Sequence, residues 1–317
     1  MFDSPQDALA SLSRVGYLTD RKTATTVYLA DRINKPIMLE GPAGAGKTEL
    51  AQSVARAAAV PLLRLQCYQG INEEKAIGQY DRSLQELFVL LKTKADGVHD
   101  WEEIRREVTS RAFFIAGPLL AAIEEPKRCV LLIDEIDKVD HAFEAMLLEL
   151  LSAWTISIPK LGTVPATTIP FVVLTSNQER RLGDPLRRRS FYLIVEHPTA
   201  EREAAIVKNK TPNASAATHR FIAGLARALR AYNLEKPPSI SEMNDVAQAM
   251  QLLGMESIHA KHKDIMLPLI AKTERDRKCL LMKQAFEVIV HSANRPAAEM
   301  ETREVDETIH ELERKAE

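Results

Sequence analysis

The sequence predicts an α/β protein: a parallel-sheet core with helices on both faces, followed by a small all-helical domain. Three observations carry this. Gly41-Pro42-Ala43-Gly44-Ala45-Gly46-Lys47-Thr48 fits the pattern G-x-x-x-x-G-K-S/T and lies between a short apolar stretch and the start of a helix. The apolar run Cys129-Val130-Leu131-Leu132-Ile133 shows no alternation, as expected of a central parallel strand covered on both faces, and it ends in Asp134-Glu135. From Thr199 onward strand signals cease and only helical periodicity remains.

Taken in order, residues 5–34 predict one or two short helices around Gly16-Tyr17-Leu18. Tyr17 beside a glycine, just ahead of the glycine-rich loop, is a candidate wall for a purine ring; ordinary core packing is the other reading. Residues 36–40 read as a buried strand and the stretch from Glu49 to Arg56 as the start of a helix, with a second strand at 61–67. Residues 68–125 form a charged, mostly helical segment in which Leu84, Leu87, Phe88 and Leu91 recur at helical spacing, as do Trp101, Ile104 and Val108. The segment exceeds a minimal strand-helix-strand connection, so part of it is expected to be an insertion.

After the acid-tipped strand, residues 141–154 predict a helix through Phe143, Met146, Leu147, Leu150 and Leu151. A β-hairpin at about 154–170 is expected from 155–159 and 164–169 flanking Lys160-Leu161-Gly162-Thr163. The strand 171–176 leads to Asn177, and a short helix over 183–190 carries Arg187-Arg188-Arg189 ahead of a last strand at 191–195. Helices at about 200–208, 216–232, 241–253 and 274–291 predict a separate bundle over 199–294, after a core over 1–198. Residues 295–317 read as a charge-dense tail, a solvated helix or a frayed end.

The chemistry follows from the placement of these parts. Glycines let successive backbone N–H groups turn inward around a polyphosphate, and the following helix adds the positive end of its dipole. Lys47 would reach the β and γ phosphates and Thr48 would offer its hydroxyl to Mg²⁺. Ligands of open α/β sheets lie outside the carboxyl ends of the strands, where Asp134 and Glu135 are delivered. Asp134 would serve Mg²⁺ and Glu135 would polarise an attacking water, with either Asp137 or Asp140 capping the next helix. Asn177 would touch the γ-phosphate or that water. Arg188 and Arg189 are either a solvated charge run or groups that reach a neighbouring subunit's γ-phosphate. Residues 41–48, with Glu49, Asp134 and Tyr17, are the candidate nucleotide-binding set.

Composition bounds the remaining possibilities. With 317 residues, about two domains are expected. Charged residues at 27%, hydrophobic ones at 45% and a net charge of −2 describe a soluble globular protein without a concentrated basic face for gripping duplex nucleic acid. No uncharged apolar run approaches the roughly 20 residues of a membrane span, and the polar start Met1-Phe2-Asp3-Ser4 is unlike a signal peptide, so a cytoplasmic address is expected. Cys67, Cys129 and Cys279 lack metal-ligand spacing and read as buried thiols.

The order of parts resembles an AAA+ ATPase of the P-loop NTPase class, specifically the MoxR group. Pro36-Ile37-Met38-Leu39-Glu40-Gly41, Leu65-Gln66-Cys67-Tyr68, Leu132-Ile133-Asp134-Glu135-Ile136-Asp137 and Leu174-Thr175-Ser176-Asn177 are similar to the wording of its CoxD-like branch. The resemblance implies ATP and Mg²⁺ as cofactors and a hexameric ring with nucleotide between subunits. It also implies chaperone-like remodelling or maturation of a client protein or metalloenzyme, with a von Willebrand factor A domain partner. One departure is visible: where the family's lid helix usually supplies a sensing arginine, this chain has Lys236-Pro237-Pro238-Ser239-Ile240-Ser241-Glu242. The alternatives are a slow nucleotide-gated adaptor, against which the intact Asp134, Glu135 and Asn177 weigh, and a DNA-acting motor, against which the missing basic stripe weighs.

Overall fold

The computed structural model describes residues 1–95, 100–196, 198–232 and 234–293, so the expected tail at 295–317 lies outside the described residues. The described residues divide into two compact units, one of 1–41 with 47–195 and one of 42–46 with the described residues from 196 to 293. No helix among the described residues is long and apolar enough to cross a membrane.

The first unit opens with α1 (Pro5–Arg14) and α2 (Arg21–Ile33), each begun by a side-chain cap: Ser4 accepts from the Asp7 N–H at 3.0 Å and Asp20 from the Thr23 N–H at 2.6 Å. Then follow β1 (Ile37–Glu40), α3 (Lys47–Ala58), β2 (Leu62–Gln66), α4 (Glu73–Ala76), β3 (Gly78–Tyr80), α5 (Arg82–Ala95), α6 (Trp101–Val108), β4 (Phe114–Ala116) and α7 (Pro118–Glu124). The unit continues through β5 (Val130–Asp134), α8 (His141–Ala153), β6 (Thr155–Ile158), β7 (Gly162–Pro165), β8 (Phe171–Ser176), α9 (Asp184–Arg189) and β9 (Phe191–Ile194).

Five strands form one parallel sheet in the order β2-β5-β8-β1-β9. Its continuous apolar strands divide their side chains between two cores. Leu131, Ile133, Val172, Leu174 and Met38 pack on one face with α7 and α8, whereas Val130, Leu132, Phe171, Val173, Ile37 and Leu39 pack on the other with α1, α2 and α3. The helices therefore cover both faces, and both cores bury aliphatic side chains at roughly 25 cal/mol per Å².

Two local differences from the sequence reading have physical causes. The segment 68–125 contains an antiparallel pair, β3 with β4, in which Tyr80 opposes Phe114 and the two rings meet edge to face at 5.1 Å. Three-residue strands are too short to set a period of two. The same segment ends in α7, whose Leu119, Leu120, Ala122 and Ile123 are buried against the sheet, so this stretch belongs to the core and does not project from it.

The second unit is helical: α10 (Ala200–Lys210), α11 (Ala216–Ala231), α12 (Ile240–Leu252), α13 (Lys263–Ile270), α14 (Glu274–Leu281) and α15 (Ala285–Ala293). The helix α13 was not expected; Pro268 inside it is a residue that normally argues for a break. The expected single helix over 274–291 is instead two, parted at Met282–Gln284, where Gln284 takes a left-handed φ of 60°. Phe221, Leu225, Met243, Met250, Met266, Leu267 and Phe286 form its core. A buried ion pair ties α10 to α11: Arg230 donates to both oxygens of Glu203 at 2.7 and 2.8 Å. Ser239 and Glu242 form a reciprocal capping box at the start of α12. The backbone N–H groups of Glu235 and Lys236 donate to Asp276 at 2.7 and 3.1 Å, while the Lys236 side chain is exposed.

Candidate functional site

Three neighbouring strands of the sheet deliver the site. The chain leaves β1 into the glycine-rich loop, β5 ends at Asp134, and β8, which lies between them, leads to Asn177. Gly41 begins the loop against the end of β9: a Cβ there would stand 2.0 Å from the Val195 carbonyl oxygen, so no side chain fits. Gly44 and Gly46 hold φ of 73° and 91°, the left-handed region that lets consecutive N–H groups turn to one side. Pro42, Ala43 and Ala45 complete the turn, closed by the Ala45 N–H on the Pro42 carbonyl at 3.3 Å.

Lys47, at the head of α3, is only 6% exposed. Its ammonium donates to the Gly41 carbonyl at 2.7 Å and to Asn177 Oδ1 at 2.8 Å. Burial pushes this ammonium below its usual range, and the carboxylates of Asp137, Asp134 and Glu135 oppose that shift. Beside it, Thr48 Oγ1 lies 3.0 and 3.3 Å from the two oxygens of Asp134. Asp134 is 3% exposed and accepts two further bonds, from the Thr175 hydroxyl and, at 2.6 Å, from Arg64 Nη2. A hydroxyl next to a buried carboxylate is a hard-oxygen donor pair that suits Mg²⁺, so the residues present fit the ion; the Arg64 guanidinium would have to yield Oδ2 for that oxygen to be open to it.

Glu135 adopts φ 59° and ψ 47°, a left-handed conformation uncommon for a glutamate and held by its N–H donating to Thr175 Oγ1 at 2.9 Å. Its carboxylate accepts from Lys138 Nζ at 2.6 Å and Gln66 Nε2 at 3.1 Å. Asp140, not Asp137, caps α8, through the Phe143 N–H at 2.8 Å. Asp137 is buried and its Oδ2 accepts the N–H groups of Asn177 and Glu179 at 3.0 and 2.9 Å, leaving Oδ1 buried without a hydrogen-bond partner among the described residues. Sequence reasoning missed this clamp because an acid three residues past a strand end is more often a cap.

Glu49 pairs with Arg56 at 2.6 Å. Tyr17 is half-buried and packs against the core formed with α1, α2 and α3. Arg188 and Arg189 are exposed at the end of α9. Of the cysteines, Cys67 and Cys129 are buried, whereas Cys279 is half-buried rather than enclosed. Burial, with Asp134 adding to it, pushes the Cys67 thiol up to about 12; burial pushes Cys129 to about 11.

Residues 37–198 match the family described as "ATPase family associated with various cellular activities (AAA)". An uncharacterized protein of Staphylococcus haemolyticus (strain JCSC1435) is 24% identical over 263 residues, covering 81% of this chain and 91% of that protein. An uncharacterized protein of Staphylococcus aureus (strain USA300) is 30% identical over 105 residues, 33% of this chain and 32% of the other. Among solved structures, the Thermotoga maritima RuvB Holliday junction branch migration motor aligns with 86% of this chain and 76% of its own, at 17% identity and a TM-score of 0.45.

Proposed function

The chain belongs to the ATPase family associated with various cellular activities, and we propose that it hydrolyses ATP with Mg²⁺ and, from the resemblance of its motifs to the MoxR group, that this drives the remodelling or maturation of a partner protein. The observation that carries the site reading is the meeting of three strand ends: Lys47 within 2.8 Å of Asn177, and Thr48 within 3.0 Å of Asp134. In this reading the loop N–H groups and Lys47 hold the phosphates, and Thr48 and Asp134 hold the ion. Held by Thr48 and Asp134, Mg²⁺ would supply positive charge against the charge that develops on the phosphates. Glu135 would orient the attacking water and take its proton, and Asn177, whose Oδ1 accepts from Lys47, would hydrogen-bond the γ-phosphate or that water. Arg188 or Arg189 supplies a guanidinium to the site of a neighbouring copy. Phosphoryl transfer asks little covalent chemistry of a protein, so positioning and charge account for the rate.

A phosphate-release assay on the purified protein, with ATP binding measured beside it, tests this. Glu135→Gln is expected to bind ATP and stop turnover, whereas Lys47→Ala weakens both. Equal turnover by wild type and Glu135→Gln would remove Glu135 as the base. The finer assignment, a MoxR-type ring acting with a von Willebrand factor A domain partner on a client, rests on the motif wording around Leu132-Ile133-Asp134-Glu135-Ile136-Asp137 and Leu174-Thr175-Ser176-Asn177. Its check is mass measurement with and without ATP: a hexamer that forms or tightens with nucleotide is expected, and a monomer under both conditions would refute the ring.

A further inference from the structure

One buried carboxylate of the first unit has no part in the reaction as assigned, yet it bonds the turn after Asn177, the arginine-bearing helix α9 and strand β9. Glu40, the last residue of β1, is 6% exposed. Its Oε2 accepts the Tyr192 hydroxyl at 2.5 Å, Arg187 Nη2 at 3.4 Å and Gln178 Nε2 at 3.4 Å. The Arg187 guanidinium also stacks over the Tyr192 ring at 4.8 Å. An isolated buried carboxylate costs several kcal/mol, so a glutamate in this position implies that its partners are held in return.

The chain neighbours of these partners matter most. Gly41, the first residue of the phosphate loop, follows Glu40; Asn177 precedes Gln178; and Arg188 and Arg189 follow Arg187. The helix α9 is only six residues long and has no side-chain N-cap. Its start is held by the Gly183 N–H on Glu144 at 2.9 Å and its middle by the fully buried Leu186. Arg187 is the side chain that ties its arginine-bearing end to Glu40, beside the Ser190 hydroxyl on the Leu186 carbonyl at 3.0 Å and the start of β9 at Phe191, while Arg188 and Arg189 are exposed and make no ion pair among the described residues.

We propose that Glu40 is a positioning residue that, through Arg187 and Tyr192, fixes the end of α9 so that Arg188 and Arg189 project toward the nucleotide site of a second copy of this chain. This rests on the reading that one of those arginines acts in trans. Arg187 is thereby assigned to the anchor. Glu40 has another possible duty, shaping its own phosphate loop through Gly41, and the two duties differ in which subunit suffers when Glu40 changes.

The test compares Glu40→Gln with wild type and with an Arg188→Ala/Arg189→Ala double variant, each alone and each mixed with excess Glu135→Gln, whose α9 is intact but whose own site does not turn over. Glu40→Gln is expected to lower kcat by about a hundredfold, the scale of a group displaced by about 1 Å. Its KM and its affinity for a fluorescent ATP analogue are expected to stay within about twofold, since its own phosphate loop is unchanged. Mixing should restore turnover at the Glu40→Gln sites, because the Glu135→Gln neighbours bring correctly held arginines. Wild-type kcat in Glu40→Gln, or a raised KM with no rescue on mixing, would overturn the proposal. If Glu40→Gln does not fold, Tyr192→Phe, which keeps the ring under Arg187, must give a smaller kcat loss with the same rescue, or the proposal fails. The trans reading fails separately, whatever Glu40 does, if the double arginine variant turns over like wild type.

Discussion

At the scale of single residues, the site depends on a few buried polar atoms whose partners are far away in the chain. Asp137 is the clearest case. Its one oxygen accepting from both Asn177 and Glu179 sets the backbone that points the Asn177 amide at Lys47. Asp137→Ala leaves two N–H groups without that acceptor, at about 1–3 kcal/mol each if they stay buried, and is expected to lower kcat by about ten- to a hundredfold. Asp137→Asn keeps an acceptor oxygen and should retain most of the rate; steady-state phosphate release on both variants decides. The cysteines give a second residue-scale prediction. A thiol raised to about 12 keeps its proton through neutral and mildly alkaline pH, so at pH 8 only about one Cys67 in ten thousand is thiolate. Iodoacetamide on the native protein at pH 8 should therefore modify the half-buried Cys279 and spare Cys67 and Cys129, with all three reacting in urea, as read by mass spectrometry.

At the scale of elements, α9 and the α10–α11 pair show how short-range sequence signals acquire meaning from what they touch. Three arginines in a row at the end of α9 look alike in sequence, but Arg187 is paired with Glu40 and stacked on Tyr192 while Arg188 and Arg189 face solvent. Removing an arginine that acts in trans costs about a thousandfold or more in rate. One of Arg188→Ala and Arg189→Ala is expected to show that loss, and normal turnover in both would exclude a role in trans. Between α10 and α11, Arg230 and the 1%-exposed Glu203 form a two-point ion pair. Arg230→Ala strands a buried carboxylate, so it is expected to destabilise the helical unit by about 3–5 kcal/mol, seen as a lower urea midpoint. Glu203→Gln together with Arg230→Met, which removes both charges, should recover much of that loss.

At the scale of the whole molecule, the parallel sheet brings distant chain positions to a common edge. Lys47 and Asn177 are 130 positions apart and Thr48 and Asp134 are 86 apart, yet each pair is in hydrogen-bond contact because β1, β8 and β5 are adjacent and end on the same side. A prediction at this scale concerns coupling between function and order. If the strand ends are held together by these polar contacts, ATP with Mg²⁺ should raise the thermal midpoint of wild type but not of Lys47→Ala, because a ligand stabilises only the state that binds it. An equal shift in both proteins would place nucleotide binding elsewhere.

The sequence by itself determined which segments are strands of a buried parallel sheet, where the glycine-rich turn and the paired acids lie, and that the later part of the chain is helical. These are local properties: an unbroken apolar run, a glycine spacing and a change of period can each be read within a few residues. It did not determine the β3–β4 pair, the break at Met282–Gln284, or the duties of Asp137, Glu40, Arg64 and Arg187. Each of those depends on which group the strand order places within about 3 Å, and a hydrogen bond falls off too steeply with distance and angle to be inferred from spacing along the chain. Tertiary structure alone decided that one arginine of three is an anchor and that one acid of the Asp134-Glu135-Ile136-Asp137 run is a clamp.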